Sequence, residues 1–372
     1  MSVTVARADL YRVELPLRHH FRTSSHDKFR LTHLLIRLET AEGAVGWGEC
    51  ASPSDPFYVG ETVESCWHIL RTYLLPRLLG PTWEHPHDAG ALLARVRGNE
   101  FARAGAETAC WDLWARMADL PLAKALGGTR ATITSGVSLG IEPSIAELLE
   151  RVEEYVGQGY ARIKLKIAPG WDAEPVAAVR ARFGDVPLQV DANGAYPVEA
   201  AARLVALDEF DLLMIEQPFA PGELAVHAWL QEQIVTPICL DESITSPGLA
   251  EAALDLGAAR IVNVKVSRLG GLAPAVAVHD LCLSRDVPVW CGGMHEFGVG
   301  RAANIALASL PGFTLPGDVS GSDKYFAEDV VTPPIAARDG EVPVPWDRPG
   351  LGHDVDPEVL AKYVVAHETV RP

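Results

Sequence analysis

Short strand-like runs recur from residue 134 onwards at intervals of roughly 25 residues. Each interval leaves room for one helix and two short loops, which is the size of a parallel βα unit. Eight such units predict a closed β/α barrel with helices packed outside the strands. The runs are TSGVSLG near 134, RIKLKI at 162, PLQVDAN at 187, LLMIEQP at 212, PICLDES at 237, RIVNVKVS at 260, PVWCGG at 288 and FTLPGDV at 313.

A doubly wound open sheet is the alternative α/β fold, because repeated βα units do not by themselves close a barrel. No GxGxxG follows the first of the runs, which disfavours a dinucleotide-binding sheet. The barrel is therefore the fold that the repeat favours.

Residues 1–128 have a different organisation. Alternating runs, VTVARADLYRVEL and THLLIRLET, predict antiparallel strands, and helical patterns follow as far as Gly127 and Gly128. Strands followed by helices predict a separate α+β domain, with the barrel over 129–322. The remainder, 323–372, is rich in Pro and Gly; we expect it to return to the first domain and to end in a short helix near 357–367.

Composition excludes several classes of protein. A formal charge of −17 and a pI near 5.1 disfavour nucleic-acid binding, which needs basic patches. The six cysteines are scattered without a CxxC pair, as expected of reduced, buried thiols. The first twenty residues lack the apolar block of a signal peptide, and no apolar run reaches the length of a membrane helix. We expect a cytoplasmic protein that binds neither nucleic acid nor membrane.

Charged side chains fall at the ends of five successive predicted strands. Lys166, Asp191, Glu216 and Asp241 are each 25 residues apart, and Lys265 follows after 24. An acidic residue that closes one strand is more often a helix cap or a turn former. Three in one register, bracketed by lysines, are harder to explain in that way, and barrel active sites lie at the carboxyl ends of the strands.

Three carboxylates without thiolates or a histidine pair form a set of oxygen ligands. Such a set suits Mg²⁺, or Mn²⁺ in its place, rather than Zn²⁺. A cation would also explain how the three negative charges coexist, since each carboxylate otherwise raises the pKa of its neighbours. Asp191, Glu216 and Asp241 are therefore the predicted metal ligands.

The lysines predict proton transfer beside that metal. Abstraction of the proton α to a substrate carboxylate gives an enediolate, whose negative charge a cation stabilises. Lys166 and Lys265 would flank the substrate from opposite sides as general acid and base. Lys164 shares a strand face with Lys166, so we expect it to lower the pKa of Lys166 and to contact the substrate carboxylate.

These residues resemble the enolase superfamily, in its muconate-lactonising subgroup, through KxK at Lys164 and Lys166, the three carboxylates, and Lys265. GWGEC at 46–50 and ETACWDLWARMADLPLAKALGG at 107–128 are similar to the capping domain of that superfamily. The resemblance implies a modified (β/α)7β barrel with an α+β capping domain formed by the N-terminal segment and the C-terminal tail. It also implies a homo-oligomer.

Within the subgroup, the chain is most similar to the N-succinylamino acid racemases and o-succinylbenzoate synthases. The stretches that carry this likeness include FRTS at 21–24, SGVSLGI at 135–141 and SRLGGL at 267–272, with CGGM and GRAANIALASLPGFTLPGDVS between 291 and 320. The resemblance implies Mg²⁺-dependent racemisation of N-acyl (N-succinyl) amino acids, dehydration to o-succinylbenzoate, or both.

Substrate contacts are also implied by the resemblance. Phe21, Thr23 and Ser24 would belong to a capping-domain loop over the site, and Ser135 and Met294 would line the acyl pocket. We also expect substrate contacts from Asn193 and His295.

The chain departs from the family pattern at GGMHEFG, where the family reads like GGMLESG. This places His295 and Phe297 where a leucine and a small residue are usual. His295 lies near the position of a catalytic histidine in the mandelate-racemase subgroup, but Lys265 already fills the position opposite the second strand. We therefore expect His295 to alter substrate preference or to be packed in the fold.

Several other activities are alternatives for a small-molecule carboxylate substrate. Muconate cycloisomerase activity fits the same residues, whereas dipeptide epimerase activity fits less well because GDVSGSD lacks the expected DxD pattern. A Schiff-base aldolase would use Lys166 or Lys265 as a nucleophile, but it leaves the carboxylates unexplained. A non-catalytic metabolite-binding barrel leaves the whole acid, base and metal set unexplained.

Overall fold

A computed structural model describes residues 1–22 and 27–371, and for 19–22, 27 and 28 it describes the backbone alone. Within these described residues, the N-terminal domain contains four strands, five α-helices and one π-helical turn. In chain order they are β1 (Val3–Arg22), β2 (Asp27–Thr40), β3 (Val45–Cys50), α1 (Val63–Ile69), a π-helical turn (Leu70–Leu74), α2 (Leu75–Leu78), β4 (Thr82–Trp83), α3 (Pro86–Leu93), α4 (Glu100–Met117) and α5 (Leu122–Ala125).

The central region alternates strands and helices. In chain order its elements are β5 (Thr132–Thr134), β6 (Val137–Leu139), α6 (Ile145–Gly157), β7 (Ile163–Lys166), α7 (Ala173–Phe183), β8 (Leu188–Asp191), α8 (Ala201–Val205), β9 (Met214–Glu216), α9 (Leu224–Gln233), β10 (Ile238–Leu240), α10 (Pro247–Asp255), β11 (Ile261–Val264), α11 (Val266–Leu269), α12 (Leu272–Ser284), β12 (Val289–Cys291) and α13 (Gly298–Ala308). Two 3₁₀ turns, Val198–Ala200 and Ala206–Phe210, flank α8.

The C-terminal region has short elements. They are a 3₁₀ turn (Ser322–Lys324), β13 (Val331–Thr332), β14 (Glu341–Pro343), β15 (Asp354–Val355), α14 (Pro357–Tyr363) and β16 (Val364–Val370). Strand β16 pairs with β1 in the N-terminal sheet, whose order is β16-β1-β2-β3. The helix expected near 357–367 thus ends at Tyr363, because the alternating segment after it continues as a strand.

Helix α6 shows how local sequence forms the barrel units. The Ser144 hydroxyl accepts a hydrogen bond from the Glu147 backbone N–H at 3.2 Å, which satisfies a free donor in the first turn. Leu148, Val152 and Tyr155 form the buried face of the helix. The helix thus begins at a capped first turn and packs its apolar face against the strands.

The barrel closes through an irregular eighth strand. Seven parallel strands follow the order β12-β11-β10-β9-β8-β7-β6 within the described chain. Phe313 bridges to Val289 of β12, and Gly317 bridges to Ser135 just before β6, so the segment 313–317 joins the two edges. Pro316 has no N–H to donate, which prevents a continuous ladder there. The predicted barrel with a capping domain is confirmed.

Within the described ranges, the helices are too short or too polar for any of them to traverse a lipid bilayer.

Two buried carboxylates of the N-terminal domain hold the first turns of barrel helices. Glu107 of α4 accepts hydrogen bonds from the backbone N–H groups of Leu272 (2.7 Å) and Ala273 (2.9 Å) at the start of α12. Glu49 of β3 accepts from Phe297 (2.8 Å) and from Gly300 in α13 (2.7 Å). These free N–H groups attract negative charge, so both contacts stabilise the association of the two domains.

We expect Glu107→Ala to lower the free energy of unfolding by about 3 kcal/mol, because two buried N–H groups lose their acceptor. Burial raises the pKa of Glu107 to about 7, so the comparison belongs at one fixed pH. Urea unfolding followed by circular dichroism measures the change. The exposed Glu150→Ala on α6 is the control. Equal stability of the two variants would show that Glu107 contributes little to the domain contact.

Candidate active site

The carboxyl ends of five neighbouring barrel strands carry the five predicted charged residues. Lys166, Asp191 and Glu216 are the last residues of β7, β8 and β9, and they are paired directly in the parallel register. Asp241 follows β10 by one residue, and Lys265 follows β11 by one residue. Strands β7 and β11 are four positions apart in an eight-stranded barrel, so the two lysines stand on opposite sides of the carboxylates.

Lys166 is held by side chains of β8 and its following loop. Its Nζ lies 2.5 Å from Asp191 Oδ2 and 2.5 Å from Asn193 Oδ1. Burial alone would raise the pKa of Asp191, but the ammonium groups of Lys166 and Lys164 outweigh it and lower the pKa to about 2. Asn193 has a left-handed backbone (φ +46°), and its Nδ2 donates to Glu242 Oε1 at 2.8 Å.

Lys164 links the carboxylates of this rim to Asp318, and its Nζ also lies 3.5 Å from Asp191 Oδ2. Its Nζ donates to Asp318 Oδ2 at 2.6 Å and to Glu216 Oε2 at 3.1 Å, and it lies 4.7 Å from the centre of the Trp290 ring. Arg162 Nη1 donates to the other Asp318 oxygen at 2.9 Å. Burial opposes the charge of Lys164, but these carboxylates outweigh burial and raise its pKa above the ordinary value.

Lys265 is bound from both the barrel and the capping domain. Its Nζ donates to Asp241 Oδ2 at 2.7 Å and to the Tyr58 hydroxyl at 2.9 Å. Burial would lower the pKa of Lys265, but Tyr58 and the nearby carboxylates outweigh it and raise the pKa. The buried guanidinium of Arg268 contacts the second oxygen of Asp241 and donates to the Ile244 carbonyl at 2.8 Å.

Glu216 sits at the centre of this arrangement. Its Oε2 accepts from Gln189 Nε2, and its Oε1 accepts from Asn263 Nδ2, each at 2.8 Å. Burial, together with the negative charge of Asp191, raises the pKa of Glu216. This is the effect expected when buried carboxylates stand side by side.

The next residue, Gln217, links the ends of β9 and β10 through its side chain. Its backbone is left-handed (φ +38°), and its Oε1 accepts hydrogen bonds from the backbone N–H groups of Asp241 (3.0 Å) and Ser243 (3.2 Å). The segment that carries Asp241 is thereby fixed to the end of the strand that carries Glu216.

The donor set fits a hard divalent cation by its chemistry. Asp191, Glu216 and Asp241 supply only oxygen atoms and all are buried, and burial together with the charge of Asp191 raises the pKa of Glu216. Glu242 Oε2, also buried, has no hydrogen-bond partner among the described residues. As arranged in the described chain, no three His, Cys, Asp or Glu side chains form a group that could hold a metal ion. A lysine ammonium group lies against each of the three carboxylates.

The predicted substrate residues lie in different places. Met294 lines a cavity of about 500 Å³ between the domains, together with Leu31, His33 and Ser52. Asn193 contacts Lys166, as described above. Thr23, Ser24 and the Phe21 side chain lie outside the described residues.

Ser135 is not brought together with the other predicted residues. It precedes β6, is fully buried, and its hydroxyl donates to the Gly136 carbonyl at 3.2 Å. Ser138, three residues further towards the carboxyl end, pairs with Lys164 in the register and donates to Asp318 at 3.1 Å. Ser138 thus lies closer to the barrel mouth than Ser135 does, and the expected contact of Ser135 with substrate stays a prediction.

The two departures from the family pattern have different surroundings. His295 has a left-handed backbone (φ +60°), and its ring centre lies 4.9 Å from that of Tyr325. Phe297 is fully buried, with its ring centre 4.5 Å from that of His33 and 5.4 Å from that of Phe326. Phe297 thus packs where the two domains meet, whereas His295 lines a small polar cavity beside Asp318.

Sequence reasoning missed several residues of the site. Asp318 had a signal, since it lies at the end of the eighth predicted strand. Arg268 lies three residues after Lys265, but nothing in the sequence indicates that its guanidinium turns back onto Asp241. Tyr58 had no signal, because it comes from a capping-domain loop some two hundred residues before its partner Lys265.

Comparison with known proteins gives the family. Residues 4–127 match "Mandelate racemase / muconate lactonizing enzyme, N-terminal domain", and residues 147–359 match "Enolase C-terminal domain-like". The chain belongs to the enolase superfamily. The prediction of an enolase-superfamily enzyme from the racemase and lyase group is confirmed.

Named relatives span nearly the whole of this superfamily member. It is 47% identical to an o-succinylbenzoate synthase of Geobacillus stearothermophilus over 98% of this chain and 96% of the relative. It is also 47% identical to an N-succinylamino acid racemase of Amycolatopsis sp. over 96% of this chain and 97% of the relative.

Solved structures agree with this relationship. An enolase-superfamily member from Listeria innocua is 42% identical, covers 99% of each chain and gives a TM-score of 0.95. A dipeptide epimerase from Cytophaga hutchinsonii, solved with Mg and the dipeptide D-Ala-L-Val, is 25% identical. The match covers 99% of this chain and 100% of the epimerase chain, and it gives a TM-score of 0.90.

We expect Asp318→Asn to destabilise the protein by about 3 kcal/mol, because the buried cations of Arg162 and Lys164 lose their shared negative partner. Urea unfolding at pH 7 measures the loss. Asp185→Asn, at an exposed position, is the control. A loss no larger than that of the control would mean that other carboxylates already balance the two cations.

Proposed function

We propose that this protein abstracts the proton α to the carboxylate of an N-succinylamino acid and returns a proton on either face, so that it interconverts the two enantiomers. The observation that carries the proposal is the placement of Lys166 and Lys265 on opposite sides of three strand-end carboxylates. The relatives named N-succinylamino acid racemase and o-succinylbenzoate synthase support the substrate class.

The chemistry follows from the two lysines. One lysine, as a neutral amine, takes the α-proton, and the C–H electron pair moves into the carboxylate to give an enediolate. The other lysine, as an ammonium, gives a proton to the opposite face of the same carbon. Each turnover leaves the two lysines with exchanged protonation states, and the reverse reaction restores them.

Asp191, Glu216 and Asp241 would hold Mg²⁺, or Mn²⁺ in its place. When bound, the cation would supply positive charge against the negative charge that develops on the substrate carboxylate. The lysine ammonium groups now on these carboxylates would have to turn towards the substrate. Asp318 is already paired with Arg162 and Lys164, so it is not free to bind a substrate α-ammonium group, which favours an N-acylated substrate.

Dehydration to o-succinylbenzoate is the second candidate function. It begins with the same abstraction of an α-proton, here from a cyclohexadiene carboxylate that carries a neighbouring hydroxyl group. Lys166 would take the proton and protonate the departing hydroxide, while Lys265 would remain a cation beside the enediolate. The 47% identity to an o-succinylbenzoate synthase favours this candidate equally.

We expect the wild-type protein with Mg²⁺ to exchange the α-proton of both enantiomers of an N-succinylamino acid in D₂O. Proton NMR measures the exchange. Lys166→Ala should abolish exchange from one enantiomer and Lys265→Ala from the other, because each lysine reaches one face. The exposed Lys124→Ala is the control and should exchange both.

Exchange of both enantiomers in either lysine variant would contradict the two-base proposal. Failure of the wild type to exchange either enantiomer, combined with turnover of the cyclohexadiene carboxylate, would assign the protein as a synthase alone.

A further inference from the structure

Among the described residues, both lysines are bound by the barrel, but Lys265 is bound by the capping domain as well. The described hydrogen-bond partners of Lys166 are Asp191 and Asn193, both carried by the barrel. Lys265 has a barrel partner, Asp241, and a second partner, Tyr58, from the loop that follows β3 in the capping domain. The capping domain therefore makes a direct contact with one of the two proton-transfer groups.

Tyr58 contacts Lys265 through both its hydroxyl and its ring. The hydroxyl accepts from Lys265 Nζ at 2.9 Å and donates to Asp241 Oδ2 at 3.3 Å. The ring centre lies 5.1 Å from the same Nζ, within the range of a cation–π contact. The Lys265 ammonium, the Tyr58 hydroxyl and Asp241 Oδ2 are therefore all hydrogen-bonded to one another. This triangle of hydrogen bonds fixes the direction of the Lys265 ammonium.

Asn193 is the barrel counterpart of Tyr58. It bonds Lys166 through Oδ1, while its Nδ2 is fixed by Glu242 and its backbone N–H by Asp191 at 2.9 Å. None of these groups belongs to the capping domain. A change in the capping loop should therefore disturb Lys265 and leave Lys166 in place.

We propose that Tyr58 is a positioning residue for Lys265, so that the capping loop controls proton transfer on one face of the substrate and not on the other. The consequence for specificity rests on the proposed function. Racemisation needs proton transfer by both lysines, whereas dehydration needs proton transfer by Lys166 alone. Tyr58 thereby favours racemisation, which uses both faces of the substrate, over dehydration, which uses one.

The test compares Tyr58→Phe with Asn193→Gly. Phenylalanine keeps the ring over Lys265 and removes the hydroxyl, while glycine tolerates the left-handed backbone at 193 and removes the amide. Tyr73→Phe, at an exposed tyrosine of the capping domain, is the matched control. Two readouts are measured: exchange of each enantiomer in D₂O, and the rate at which cyanate modifies each lysine, mapped by mass spectrometry of peptides.

In Tyr58→Phe, we expect kcat for α-proton exchange of the enantiomer that requires Lys265 to fall roughly tenfold or more. The kcat for exchange of the other enantiomer should change less than about twofold. Asn193→Gly should show the reverse preference. Without substrate, Tyr58→Phe should speed the modification of Lys265 by at least about threefold and leave that of Lys166 unchanged, because only one amine loses its restraint.

Equal loss for both enantiomers in Tyr58→Phe, or unchanged reactivity of Lys265, would overturn the positioning role. If the wild type exchanges neither enantiomer but Tyr58→Phe still exposes Lys265 alone, the racemase proposal fails and the positioning role stands. If the wild type exchanges both enantiomers and Tyr58→Phe behaves like Tyr73→Phe, the positioning role fails and the racemase proposal stands.

Discussion

Three buried carboxylates on neighbouring strand ends are the constraint on which the rest of the barrel mouth depends. Parallel pairing aligns Asp191 with Glu216 directly, and the Gln217 side chain fixes the segment that carries Asp241. Negative charges so close together require positive partners, since an unpaired buried charge is strongly destabilising. The surrounding cations meet that need, and the same charges leave an oxygen-rich site suited to a divalent cation.

Much of the fold was predictable because its signals are local. The 25-residue spacing predicted the barrel, and the strand-end register placed Lys166, Asp191, Glu216, Asp241 and Lys265 on one rim, as the structure has them. Features that depend on tertiary contacts could not be predicted from the sequence. The C-terminal strand exists because β1 offers it an edge, and a sequence pattern alone does not show that edge. Tyr58 and Arg268 reach the site from a distant loop and a buried helix turn, which no spacing rule predicts.

The capping domain does more than cover the barrel. Glu49 and Glu107 bind the first turns of two barrel helices, and Tyr58 reaches Lys265. Phe297, one of the two departures from the family pattern, packs against His33 beside the Glu49 contact, so that departure belongs to the domain contact. His295 lies instead beside the cluster formed by Asp318 and Lys164, which makes it the better candidate for an effect on substrate preference.

Anomalous diffraction from crystals grown with Mn²⁺ and an N-succinylamino acid tests the central claim most directly. We expect one strong manganese peak within coordination distance of Asp191, Glu216 and Asp241, with the substrate α-carbon between the Nζ atoms of Lys166 and Lys265. A peak bound by other residues, or an α-carbon with both lysines on the same face, would contradict it.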